Sequence, residues 1–114
     1  MLAVPPDAVA RLRAFKDSLE RSLPGRVAEV VLFGSRARGD ARPDSDYDLA
    51  VLVRHGAHRR SATKDIVSEH ALAHIVEGYP LAPIVLPDDY LRPVDGCFRT
   101  ELARRIAREG VAVR

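Results

Sequence analysis

Apolar positions in this chain follow two different periods, and the switches between them predict its elements. After Pro5-Pro6-Asp7, the residues Ala8, Leu12, Phe15, Leu19 and Leu23 recur at helical spacing, with Arg11, Arg13, Lys16 and Glu20 elsewhere. Pro24-Gly25 ends that pattern. Val27 to Phe33 is a nearly unbroken apolar run, as expected of a strand covered on both faces. Gly34-Ser35 opens a tight turn and a short helix reaching Gly39, and Gly39–Ser45 is a polar loop containing Pro43. A second apolar strand runs from Tyr47 to Val53, followed by a basic connection, Arg54–Arg60. A longer helix, Ser61 to Glu77, is apolar around much of its circumference and stops at Gly78-Tyr79-Pro80. Leu81–Leu86 reads as a third strand, and Pro83 assigns it to a sheet edge, where a missing N–H costs least. A turn or short helix covers Pro87–Leu91. A last helix spans Cys97 to Glu109, with Phe98, Leu102 and Ile106 inward and Gly110 as its stop. This order predicts an α/β (α+β) fold, a small mixed sheet of about three strands flanked by helices.

Length fits a single domain over residues 1–114. A hydrophobic fraction of 46% beside 30% charged residues is ordinary for a globular protein. No apolar stretch approaches the ~20 residues of a membrane helix, and the start of the sequence lacks a signal-peptide pattern. The lone Cys97 excludes an intrachain disulfide and points to a reducing, cytoplasmic setting. A net charge of +2 gives no argument for direct nucleic-acid binding.

The chemistry concentrates in residues 34–49, GSRARGDARPDSDYDL. A Gly-Ser pair after one strand and an Asp-x-Asp pair opening the next would coincide by chance in on the order of one in a thousand chains this long. Gly34 lets a backbone approach an anion closely, and Ser35 offers a hydroxyl and an N–H at a helix start. Arg36 and Arg38 can add charge-assisted contacts to a triphosphate. Residues two apart on a strand point the same way, so Asp46 and Asp48 project from one face with Cα atoms ~7 Å apart. Two such carboxylates suit Mg²⁺, which takes oxygen ligands and keeps substrate phosphates as partners. The segment is not a Walker A loop, because the Gly-Lys-Ser/Thr ending is absent. The plainer alternative is a turn and a capped strand whose acids are solvated or paired to Arg36, Arg38 or Arg42.

Gly34-Ser35, Ala37, Gly39, Ser45-Asp46, Asp48 and Leu49 resemble the signature of the polymerase-β-like nucleotidyltransferases. The length and the closing Ile106-Ala107-Arg108-Glu109-Gly110-Val111 resemble the small stand-alone branch, the minimal nucleotidyltransferases. The resemblance implies that Gly34 and Ser35 hold a nucleoside triphosphate, ATP foremost, and that Asp46 and Asp48 bind Mg²⁺ and are catalytic. It further implies transfer of an AMP group to a hydroxyl, with a HEPN-domain toxin as partner and an antitoxin role. Active members of that family carry a third carboxylate on the next strand. Leu81–Leu86 contains no acid; Ala82 falls nearest the expected place, flanked at a distance by Glu77, Asp88 and Asp89. A second reading therefore stands beside the enzyme: a weakened or inactive nucleotide-binding antitoxin that acts by complex formation.

Other polar residues read more plainly. His70 and His74, four apart on the long helix, share an arc with Ile66, Val67 and Ala71 and suit packing or an interface better than zinc. His55 and His58 with Arg54, Arg59 and Arg60 form a basic loop. Arg104 and Arg108 mark the wet face of the last helix, and Cys97 is a bystander.

Overall fold

A computed structural model describes residues 2 and 4–114. The elements run α1 (Pro6–Ser22), β1 (Val27–Phe33), α2 (Ser35–Arg38), β2 (Tyr47–Val53), a 3₁₀ turn (Ala57–Arg59), α3 (Ser61–Ile75), β3 (Leu81–Pro87), α4 (Glu101–Glu109) and β4 (Val111–Ala112). The strands form one sheet in the order β3-β2-β1-β4. β1 is antiparallel to both neighbours, whereas β2 and β3 run parallel through the α3 crossover, so the sheet is mixed as expected. Pro83 does lie on an edge strand.

Period-2 alternation splits the strands between two cores. Val30, Leu32, Leu49, Val51 and Val53 pack beneath Leu12, Phe15 and Leu19 of α1 and Val67 and Ala71 of α3. Val31, Phe33, Ala50 and Leu52 face the other way, against Leu86 and Ile106, with Leu102, Tyr90 and Leu91 at the margin. Burial on both faces explains why β1 and β2 read as unbroken apolar runs. It also decides the direction of Asp48, which shares its strand parity with Ala50 and Leu52 and so lies on the α4 side.

Two expectations need correction. The last helix begins at Glu101, not Cys97. Thr100 adopts an extended backbone, and its hydroxyl accepts a hydrogen bond from Ala103 N–H at 3.0 Å, which makes it the N-cap. Cys97 and Phe98 precede it in a turn closed by a Val94–Cys97 bridge, and the inward stripe falls on Ala103 and Ile106. The sheet also has a fourth strand: Val111 and Ala112 pair with Leu32 and Val31. Gly110 does end α4, but at φ −69° it needs no left-handed freedom. It needs space, because an added Cβ would lie 2.6 Å from Val31 Cγ1 and against the Ile106 carbonyl. The chain turns from helix to strand at this point by pressing bare backbone onto β1.

α3 is apolar beyond what its neighbours cover. Thr63, Val67 and Ala71 are buried, whereas Leu72, Ile75 and Val76 are exposed.

Candidate functional site

The site forms at the sheet end where β1 leaves and β2 enters. Phe33 and Asp48 are register partners, so Gly34, one residue on, sits directly beside Asp48. Gly34 is buried at φ +76°, and a Cβ there would lie 3.2 Å from Asp48 Cγ and overlap its carboxylate. Both the conformation and the close approach require glycine. The Gly34 carbonyl accepts from Ala37 and Arg38 N–H, each at 3.0 Å, and the Ser35 carbonyl from Gly39 and Asp40, which winds α2.

The two aspartates differ in setting. Asp46 is exposed just ahead of β2, and Asp48 is half-buried within it. Burial raises the Asp48 carboxyl above the usual carboxylate range; Asp46 pushes the same way, Arg105 and Arg38 oppose it, and Glu109 adds to the rise. Two acids close enough to feel each other's charge, one short of solvent, fit a divalent cation that needs only one or two protein carboxylates beside water and phosphate. Among the described residues, no group of three or more His, Cys, Asp or Glu is arranged to hold a metal.

The two arginines of α2 diverge. The Arg36 guanidinium lies 4.4 Å from the Tyr47 ring centre and donates to the Ser45 carbonyl at 2.9 Å and the Pro43 carbonyl at 3.2 Å. It braces the loop that delivers Asp46. Arg38 turns to the other side, between Asp40 and Glu109, and hydrogen bonds to both raise its pKa. Positions two apart on a helix do not share a face, which separates their duties.

None of the acids flanking β3 reaches this place. Ala82 is the register partner of Asp48, so a methyl group stands where the resemblance implies a carboxylate. Asp88 follows the Val53–Pro87 pair at the opposite sheet end, five strand residues or ~17 Å away. Asp89 pairs with Arg99 at 2.9 Å, and Glu77 pairs with Arg11. The acid that does arrive is one the sequence reading did not nominate. Glu109, the last residue of α4, accepts Gly34 N–H at 2.9 Å and holds Arg38 at 3.2 Å. Its only signal in the sequence was its place beside Gly110 in the closing motif. Arg105, one turn earlier, was missed as well.

The remaining candidates lie elsewhere. His70 Nε2 is 2.9 Å from Ser22 Oγ. His74 packs edge-on to Phe15, and burial lowers its pKa. Arg54, His55, Arg59 and Arg60 are exposed at the far end of β2, and Cys97 is exposed. No helix among the described residues is long and apolar enough to cross a membrane.

Comparison with known proteins bears on the fold and the family. Over 43 residues the chain is 40% identical to a candidate protein adenylyltransferase of Methanocaldococcus jannaschii, MJ0141. A second from that organism, MJ0604, is 37% identical over 41 residues. These matches take in 38% and 36% of this chain, which spans only 43% and 41% of those relatives' lengths. The fold is similar to that of a candidate nucleotidyltransferase from Sulfolobus solfataricus, with a TM-score of 0.59 at 20% identity over 98% of this chain and 90% of that one. It is also similar to a chain in a crystal structure of a toxin–antitoxin with AMP-PNP, with a TM-score of 0.56 at 19% identity over 90% of this chain and 72% of that one. The sequence model of the nucleotidyltransferase domain matches residues 12–109, from the middle of α1 to Glu109 itself. The chain belongs to the nucleotidyltransferase domain family.

Proposed function

We propose that residues 1–114 form one nucleotidyltransferase domain that binds a nucleoside triphosphate, ATP foremost, and transfers its nucleotidyl group to a hydroxyl on a partner protein. The observation that carries this reading is the contact between Gly34 and Asp48. With no room for a Cβ between the two residues, a phosphate brought to the Gly34–Ser35 turn would lie beside the acid that would take the metal.

Each side chain then has a task. Ser35 presents its backbone and hydroxyl to the triphosphate, Gly34, whose own N–H is taken by Glu109, gives the close approach that a side chain would block, and Arg38, on the site side of α2, supplies positive charge. Arg36 serves indirectly by holding the Asp46 loop in place. Asp46 and Asp48 would hold Mg²⁺, which when bound neutralises phosphate charge and favours in-line displacement at the α-phosphorus. In that displacement the acceptor oxygen forms the new P–O bond, pyrophosphate leaves, and the hydroxyl proton passes to water or to the acceptor's own protein. Ala82 cannot take that proton, so the chain offers less general-base help than a site with a third acid.

The acceptor is most simply a HEPN-type toxin, which gives the chain an antitoxin role in the cytoplasm. Similarity to a toxin–antitoxin chain and to candidate protein adenylyltransferases supports a protein acceptor. Ala82 opposite Asp48 favours a second reading, an antitoxin that binds nucleotide and neutralises its partner by complex formation alone. Labelled ATP, Mg²⁺ and the product of the adjacent gene separate the two. Label on the partner, lost with Asp46→Ala and Asp48→Ala together, supports transfer. Neutralisation that survives the double substitution supports binding alone.

A further inference from the structure

We propose that Glu109 is a positioning residue for the triphosphate cradle, clamping both ends of α2 with one carboxylate. The proposal rests on the reading that Gly34, Ser35 and Arg38 receive the nucleotide. α2 has only four residues, none of them buried, and no side-chain N-cap. So short a helix has no stability of its own and takes its position from its tethers. At its start, Gly34 N–H donates to Glu109 Oε1; at its end, Arg38 Nη1 donates to both Glu109 oxygens. Arg36 supplies the third tether, toward the loop.

Glu109 is itself well anchored. Ile106, three residues earlier, is buried, and Gly110, the next residue, is pressed against Val31. Val111 then pairs with Leu32 of β1. The Glu109 side chain is only 19% exposed and its contact with Gly34 N–H is partly buried, whereas the Arg38 side chain at the other end of the clamp is 40% exposed and more open to screening. Charge-assisted hydrogen bonds in such a setting fix geometry as well as energy. Glu109 therefore acts through Gly34 and Arg38. It orients the peptide that precedes Ser35, and it holds the guanidinium on the Asp48 side rather than free in solvent. The last helix thereby becomes part of the nucleotide site.

Titrating the intact chain with AMP-PNP and Mg²⁺, with thermal unfolding run in parallel, tests this. Glu109→Ala is expected to weaken binding by about tenfold or more, the scale of one charge-assisted hydrogen bond. Glu109→Gln keeps an acceptor for Gly34 N–H and should lose less. In an Arg38→Ala background, Glu109→Gln should add little further loss, a dependence that general loosening of the fold would not produce. Should Glu109→Ala fail to unfold cooperatively, this Gln series decides. Glu101→Ala, at the other end of α4, should leave binding unchanged. Binding by Glu109→Ala within twofold of wild type overturns the proposal. Tighter binding also overturns it, because the carboxylate would then be competing with phosphate. If wild type folds yet binds no AMP-PNP, the cradle reading itself fails, and the proposal with it.

Discussion

Both ends of the sheet carry charged side chains, and the two make opposite use of them. At one end, Gly34, Asp46, Asp48 and Glu109 meet where β1 leaves and β2 enters, with a buried glycine and a half-buried acid. At the other, Arg54, His55, Arg59, Arg60 and Asp88 stand exposed around the Val53–Pro87 pair, and Arg54 donates to the Val27 carbonyl. Solvent disperses the second set. In the first set Asp48 and Glu109 are partly withdrawn from solvent, Glu109 being tied to the Gly34 N–H at the end of a helix, and Asp46 alone stays exposed. Charge density is thus no guide to the site; like charges kept close against their own repulsion are.

The largest effect that would break this comparison is on transfer. Asp46→Ala with Asp48→Ala should reduce Mg²⁺-dependent labelling of a partner by at least about a hundredfold, while Arg59→Ala with Arg60→Ala at the opposite end should stay within about twofold. A comparable loss from both pairs would show that the basic end belongs to the reaction. Gly34→Ala comes next. Positive φ and overlap with Asp48 together should cost about 2 kcal/mol or more in denaturant unfolding, and Mg²⁺–nucleotide binding should fall with it. Gly110→Ala has no conformational penalty at φ −69°, but overpacking against Val31 should cost about 1–3 kcal/mol and loosen β4.

The smallest effect sharpens the comparison through pH. Because the Asp48 carboxyl is raised, the folded chain keeps its proton to a higher pH than the unfolded chain. The unfolded state therefore binds fewer protons across that window, and Asp48 lowers stability as pH rises from the ordinary carboxylate value through the raised one. Asp48→Asn should accordingly melt at a higher temperature than wild type at neutral pH without divalent ions. That advantage should fade as pH falls to about 4 and below. Added Mg²⁺ should raise the melting temperature of wild type more than that of Asp48→Asn.

Legibility in the sequence followed the range of the interactions involved. β1 and β2 matched the expected bounds because burial on both faces writes an apolar run directly into sequence. The meeting of Gly34 with the Asp46–Asp48 segment was readable because a single connection, α2 and the polar loop after it, joins the two strands that carry them. β4 was not, since two residues become a strand only when β1 stands beside them. The start of α4 was misplaced because Phe98 continues the apolar spacing, while the Thr100 cap that sets the boundary depends on a turn beyond the pattern. Arg36 and Arg38 looked equivalent in sequence, and the packing of Tyr47 under one of them separates them. Glu109 resembled any charge at a helix end, because nothing local announces a contact with residue 34.

That contact closes a loop of 75 residues, and it has a consequence for the order of assembly. Gly34 and the aspartates can form their turn from neighbours in sequence, whereas the clamp waits for α4 to dock. Closing so long a loop is entropically costly and belongs late in folding. During synthesis the chain would thus pass through a stage that holds its acidic pair while the Gly34–Arg38 segment still lacks the Glu109 tether, which arrives only when α4 docks on the sheet.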